Sequence, residues 1–351
     1  MLSKKRKQSR RTKKNKTTPK TRQMTSKILK KAEFPYYRLF KTQKEILADF
    51  KKLKDFKPKI LRKNPTSKKI AGFAGKGPII FIEDYQKNVD MYKITDYFSQ
   101  KCRVKCVFNP LKDSKTGRNM LEQYREFKGD MFKELGNSIS YHKLDDYLYA
   151  KNIKECSNFH TTVVMFVLKL FKPKRYLDFS AGWGDRLVGA IAYDCQEYLG
   201  VDPSECMQSH YQSIIETLAP KKKQSQFKVI QKGFEDATVP KNHFDLVFTS
   251  PPFFTLERYE NTPLQSVIKF KNLQAWKNGF LFPSLVKCYH SLREGGYLAI
   301  YISDYTTAKY TGDMKKYIKN KLKGFNYMGD IHWMDRKTRK IRAINCWKKE
   351  Y

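Results

Sequence analysis

The stretch Tyr176-Leu-Asp-Phe-Ser-Ala-Gly-Trp-Gly-Asp-Arg186 constrains the fold more than any other part of the chain. Tyr176 to Phe179 reads as a short apolar strand carrying a carboxylate at its end. Ser180 to Gly184 is a small-residue turn, and Leu187 to Ala192 supplies the apolar face of a helix. Tyr198 to Asp202 reads as a second strand, again ending in an acid. Together they predict the opening of a βαβ unit, in which glycines let the backbone approach a ligand at a helix N-terminus. Asp202 lies twenty residues beyond Gly182, about the offset at which an acid after the second strand reaches a ribose hydroxyl pair. A tight βα turn without a ligand accounts for the glycines alone, but it gives Asp202 no work.

Downstream, the pattern repeats. Cys206 to Leu218 has helical spacing, and Phe227 to Ile230 is a third strand that runs into Gly233-Phe-Glu-Asp236. Phe244 to Phe248 is a fourth, followed by a helix over Trp276 to Leu292, a turn at Arg293 to Gly296 and a fifth strand over Tyr297 to Ile302. Met314 to Leu322 reads as a helix, and Tyr327 to Trp333 with Ile341 to Trp347 as a closing hairpin. Strands alternating with helices predict an α/β fold with a mostly parallel sheet covered on both faces, made mixed by the hairpin.

The fourth strand leads into Thr249-Ser-Pro-Pro-Phe-Phe254, at the carboxyl edge where open α/β sheets bind ligands. The two prolines fix φ and remove both N–H donors, so acceptors remain: the Ser250 hydroxyl and the carbonyls of Ser250 and Pro251. Beside them stand the rings of Phe253 and Phe254. Acceptors take the protons of an exocyclic amine, and a ring stacks on the flat base that carries it. A proline-rich turn with buried phenylalanines is the plain alternative. Its place after an apolar strand, downstream of the glycine turn, favours the site.

Asp178-Phe-Ser-Ala-Gly-Trp-Gly184, Asp202 and Ser250-Pro-Pro-Phe253 resemble the motifs of class I S-adenosylmethionine-dependent amino-methyltransferases. They are most similar to those of DNA methylases acting on N4 of cytosine or N6 of adenine. The resemblance covers about Phe159 to Trp347. It implies a Rossmann-like seven-stranded sheet and S-adenosylmethionine as cofactor. It implies that Gly182 and Gly184 lie against the methionine moiety, that Asp202 meets the ribose, that Asp236 or Glu235 meets the adenine amine, and that Asp178 and Ser180 belong to the same cofactor site. Ser250, Pro251, Pro252 and Phe253 would carry the transfer. Phe254, with Arg258 and Tyr259 in the loop from Thr255 to Ser266, would meet the substrate. Phe159 and Thr161, just before the turn, would close over the cofactor, with helix capping by Ser157 or Thr161 as the simpler reading.

Charge bears on the partner. Of the chain's 71 Lys/Arg and 34 Asp/Glu, residues 1–76 hold 27 and 4, a strongly basic head before a moderately basic body. A polyanion, nucleic acid above all, is the natural partner, and the resemblance puts DNA ahead of RNA. Lys4 to Lys31 carries 14 Lys/Arg and no acid and is expected to be a disordered tail, either a nuclear address or a phosphate-binding arm. Residues 32–77 read as a basic amphipathic helix (Tyr36 to Phe56) and a linker. Residues 78–155 read as a small α/β and helical subdomain with strands at 78–83 and 103–108 and a helix between, and 156–351 as the catalytic domain. The seven cysteines (102, 106, 156, 195, 206, 288, 346) lack a Cys-x-x-Cys pair. They are expected to be mostly reduced and buried, with no metal site, which suits a nuclear or cytosolic protein. No apolar run reaches the length of a membrane span. A binding or packaging protein on the same fold, without activity, is the third reading after DNA and RNA methylation.

Overall fold

The computed structural model describes residues 22–64, 79–83, 91–108, 117–153, 155–305, 308–334 and 340–350. Most of the basic tail and residues 65–78 of the linker lie outside the described residues, as does the start of the helix expected between 85 and 100.

One sheet organises the molecule. Its strands are β1 (Lys59–Asn64), β2 (Ile79–Glu83), β3 (Arg175–Asp178), β4 (Glu197–Val201), β5 (Phe227–Ile230), β6 (Phe244–Thr249), β7 (Leu292–Tyr301), β8 (Phe325–Met334) and β9 (Ile341–Lys349). They lie in the order β1-β2-β8-β9-β7-β6-β3-β4-β5. Strands β3 to β7 are parallel to their neighbours, while β9 is antiparallel between β7 and β8. The seven strands β3 to β9 form a mixed, mostly parallel Rossmann-like α/β sheet. Seven strands were expected, and nine are present. The apolar strand at 79–83 pairs parallel to β8, and β1 pairs antiparallel to β2. The hairpin would otherwise end in an open row of N–H and C=O groups, and the two added strands cover it.

Side chains alternate across the sheet with period two. Tyr176, Tyr198, Leu246 and Phe248 enter the core on one face, and Leu177, Leu199, Val247 and Leu298 the core on the other. The first core is completed by α1 (Gln43–Asp55), α2 (Asp96–Arg103), α5 (Thr161–Phe171), α6 (Asp185–Tyr193) and α7 (Gln208–Leu218). Helices α3 (Met120–Leu135) and α4 (Tyr141–Ala150) pack on its N-terminal side. The second is completed by α8 (Phe282–Ser291) and α9 (Thr311–Lys321). Helix α5 is apolar all round and is buried along Thr161 to Leu168, as such a helix must be. Capping boxes at Thr42/Glu45 and Asn119/Glu122 start α1 and α3.

Four expectations are corrected. Residues 103–108 are mainly the end of α2 and a turn, with a strand only at Val107–Phe108, because Arg103 is drawn inward to Asp96. Residues 22–31 do not belong to a tail: Gln23–Thr25 pairs with Ser138–Ser140, and Leu29 is fully buried. The helix expected from Trp276 to Leu292 contains a π turn at Lys277–Leu281, where Gly279 lies against the ring of Phe270. Four cysteines expected to be reduced form disulfides, Cys102–Cys206 and Cys106–Cys156, which removes the compartment argument built on them. Cys195, Cys288 and Cys346 are free and buried. Among the described residues, no helix is long and apolar enough to cross a membrane.

Candidate active site

The carboxyl ends of β3, β4, β5, β6 and β7 open on one cleft of about 1630 Å³. The turn after β3 forms its floor. Gly184 has φ +91°, a backbone conformation that strains any side chain, and a Cβ there would also push on Ile214 Cδ1 at 2.7 Å where α6 starts against α7. Gly182 has φ +59°, and its N–H donates to Asp202 Oδ2 at 2.7 Å. Asp202 Oδ1 accepts from Ser204 N–H at 3.0 Å. Burial raises the Asp202 carboxyl to about 6, against the pull of these two N–H groups.

Asp178 has a different place. It is fully buried and does not line the cleft. Its Oδ2 accepts from Arg186 Nε at 2.8 Å and Tyr198 OH at 3.0 Å, and Arg186 also donates to the Ser180 carbonyl. The pair braces the turn from behind. Breaking it would leave a buried charge, at a cost of about 3–5 kcal/mol.

After β5, Phe234 stacks on Phe179 with centroids 4.7 Å apart. Glu235 lines the cleft, and Asp236 points to solvent. Lys269 Nζ holds Glu235 Oε1 at 2.9 Å, while Glu235 Oε2 is buried with no hydrogen-bond partner. Lys287 Nζ donates to the carbonyls of Phe234 at 2.6 Å, Glu235 at 3.0 Å and Ala237 at 2.6 Å, which fixes this loop.

The turn after β6 faces these groups. Ser250, Pro252 and Phe253 line the cleft, and Pro251 is buried behind them. Phe253 leans on Tyr301 (centroids 5.5 Å apart), and Tyr301 continues to Phe159 (5.3 Å) and Trp333 (5.2 Å). Phe254 turns away with φ +49° to pack on Trp276. Arg258 sits in a two-residue strand paired with Val107–Phe108 and does not line the cleft. Tyr259 does, with its ring against Trp183 at 5.7 Å. Of the pair before α5, Phe159 lines the cleft, whereas Thr161 is buried and donates to the Met91 carbonyl at 2.9 Å. Neither Ser157 nor Thr161 caps α5, whose N-cap position is His160, with no side-chain capping bond to the helix.

The structure thus gathers Ser180, Gly182, Asp202, Glu235, Ser250, Pro252, Phe253 and Tyr259 on one cleft. It leaves Asp178, Gly184, Asp236, Pro251, Phe254 and Arg258 off its lining. It also brings in residues the sequence did not single out. Asp185, raised to about 7 by burial, accepts from Thr95 Oγ1 and from Phe159 N–H at 3.2 Å. Asn158 Nδ2 donates to Thr95 Oγ1 at 3.1 Å and Asp96 Oδ1 at 2.8 Å, and Arg103 Nη1 to the Cys156 carbonyl at 3.0 Å. Glu257, also raised to about 7 by burial, accepts from Ser157 N–H at 3.3 Å. Cys102, Cys206 and His210 bring three donor atoms within 4.8 Å of one another, but the two sulfurs are bonded to each other.

No family model and no curated protein matches the sequence. Among solved structures, the chain is similar to TrmN from Thermus thermophilus, at 13% identity over 54% of this chain, with a TM-score of 0.39. It covers 49% of that protein, about half its length. It is similar to the tRNA methyltransferase TrmI from Aquifex aeolicus (13% identity, 56% of this chain and 71% of that one, TM-score 0.35). A third is the 1,6-didemethyltoxoflavin-N1-methyltransferase from Burkholderia thailandensis, solved with its substrate and S-adenosylhomocysteine (11% identity, 54% of this chain and 78% of that one, TM-score 0.39). Likenesses this distant concern the fold.

Proposed function

We propose that the chain is an S-adenosylmethionine-dependent methyltransferase acting on an exocyclic amine of a nucleic-acid base, namely N4 of cytosine or N6 of adenine in DNA. One observation carries this reading: the glycine turn with Asp202 and Glu235, and the Ser250-Pro-Pro-Phe253 turn, face each other across a single cleft. At about 1630 Å³ the cleft exceeds the roughly 300–1,000 Å³ of a site for one small ligand, so it suits two. The residues present fit the cofactor. Glu235 Oε2, buried and unpartnered, is an acceptor for an adenine amine, and the Gly182 backbone leaves room that a side chain would fill. Asp202 would receive the ribose hydroxyls. When bound, the cofactor supplies a methyl group on a positively charged sulfur.

The chain's own residues prepare the amine. Its lone pair is conjugated with the base and is a poor nucleophile until the nitrogen is held toward tetrahedral geometry. The Ser250 hydroxyl and carbonyl, on the cleft, accept its protons, and the two prolines, Pro251 buried behind, keep those acceptors rigid. Phe253, backed by Tyr301, gives the base a stacking face. In duplex DNA the base must first be flipped out at a cost of a few kcal/mol, and stacking returns roughly 1–3 kcal/mol.

The test is transfer of a labelled methyl group to separate DNA, RNA and protein pools by wild type and Ser250→Ala. The expected result is label in DNA, with turnover at least a hundredfold lower in the variant and S-adenosylhomocysteine affinity within about threefold. Label in RNA alone would move the reading to RNA bases. A Ser250→Ala enzyme at the wild-type rate would put the chemistry elsewhere.

A further inference from the structure

The segment that leaves the catalytic turn does not end at the substrate side of the cleft. It crosses to the cofactor side. Thr255 N–H donates to Tyr305 OH at 3.1 Å, Glu257 takes Ser157 N–H, and Tyr259 packs on Trp183 of the glycine turn. Glu260, ten residues beyond Ser250, then holds the residues that follow Asp202. Its Oε1 accepts from the Ser204 hydroxyl and from Cys206 N–H at 3.1 Å, and its Oε2 from Glu205 N–H at 3.2 Å. Three consecutive residues hang on one carboxylate. Ser204 in turn donates its N–H to Asp202 Oδ1, so the acid at the end of β4 is fixed at second hand by Glu260.

We infer that Glu260 is a positioning residue for a nucleoside diol: it holds Ser204 to Cys206, and through Ser204 N–H it aims the Asp202 carboxylate at two ribose hydroxyls. This rests on the cofactor reading of the cleft and adds to it. Ribose recognition is set from the segment that also shapes the target-base side, so the two halves of the site are braced against each other. Among the described residues the Glu260 carboxylate meets donors of this one loop, and it does not line the cleft.

Calorimetry with S-adenosylhomocysteine and its 2′-deoxy analogue, on the full chain as wild type, Glu260→Ala and Glu260→Gln, decides it. Glu260→Ala should bind S-adenosylhomocysteine about tenfold more weakly while its affinity for the 2′-deoxy analogue changes less than about threefold. Glu260→Gln, which keeps one accepting oxygen, should fall between and serves if the alanine variant does not fold. Equal losses for both ligands would mean a general loosening of the loop and overturn the inference, as would unchanged affinity. A wild-type chain that binds neither ligand overturns the cofactor reading and this inference together. A wild type that binds while both variants match it overturns the inference alone.

Discussion

At the scale of single residues, the buried carboxyls set the pH behaviour. Asp202 is raised from its ordinary 3.8 to about 6, chiefly by burial. The folded chain therefore keeps this proton up to about pH 6, whereas the unfolded chain releases it near pH 4. Stability contributed by the raised group is fully present below the unfolded value and is lost as pH rises through about 6. Asp185 and Glu257, both raised to about 7, act in the same direction. Ribose hydroxyls donate to the ionised carboxylate, so binding should favour the deprotonated form. S-adenosylhomocysteine affinity is expected to fall as pH drops from 7 to 5, with the bend near 6, and calorimetry across that range checks it. Asp202→Asn should bind more weakly and lose the bend. An unchanged bend in the variant would assign it to Asp185 or Glu257.

At the scale of elements, α2 is the piece that the disulfides explain. Cys102 joins it to the start of the α7 segment, and Cys106, just past its end, to the segment before α5. Both of those segments carry cleft-lining residues, Pro203 and Ser204 in one and Ser157 to His160 in the other. The Cys106–Cys156 bond closes a separation of 50 residues, which in the chain-entropy account is worth about 4 kcal/mol. A Cys106→Ser/Cys156→Ser chain should lose about that much in denaturant titrations without reductant, and the difference should vanish when both proteins are reduced. Equal stability without reductant would mean the bond adds nothing. The strands β3, β4 and β6 were legible because strands buried on both faces read as short apolar runs, and the turns after them because glycine and proline punctuate them. The partners of those turns were not. Asp96 and Arg103 share a helix whose polar positions look solvent-facing, yet they meet in a buried pair that only the fold brings against Glu155 and Cys156. Glu235 and Asp236 are adjacent in sequence, and only the geometry of the loop turns the first inward. The docking of β2 beside β8 joins residues some 250 positions apart and leaves no local trace.

At the scale of the whole molecule, charge and site divide the work of binding. On the function proposed above the cleft takes up a base, but nothing in a stacking face and its acceptors holds a polymer. The net charge of +37 can, and much of it precedes the catalytic body. Residues 1–21 carry ten Lys/Arg and no acid and lie outside the described residues, which begin at Arg22, with Leu29 anchored in the core. Deleting 1–21 removes charge and keeps Leu29, whereas a cut at residue 31 would take this buried side chain out of the core. Each phosphate neutralised releases counterions, so log K falls with log salt at about 0.9 per contact on duplex DNA. A full-length chain that lays most of these side chains on phosphates should show a steep slope. The truncated chain should bind DNA more weakly at 50 mM salt, show a slope flatter by several units, and converge on the full-length affinity as salt rises. Its S-adenosylhomocysteine affinity should stay within about twofold, since the described residues that line the cleft begin at Lys93. Filter binding over a salt series measures the slope. If the slope is the same with and without residues 1–21, their charge plays no part in holding nucleic acid, and the affinity must come from the basic surface of the body, where Lys309, Lys340 and Arg342 stand along the cleft.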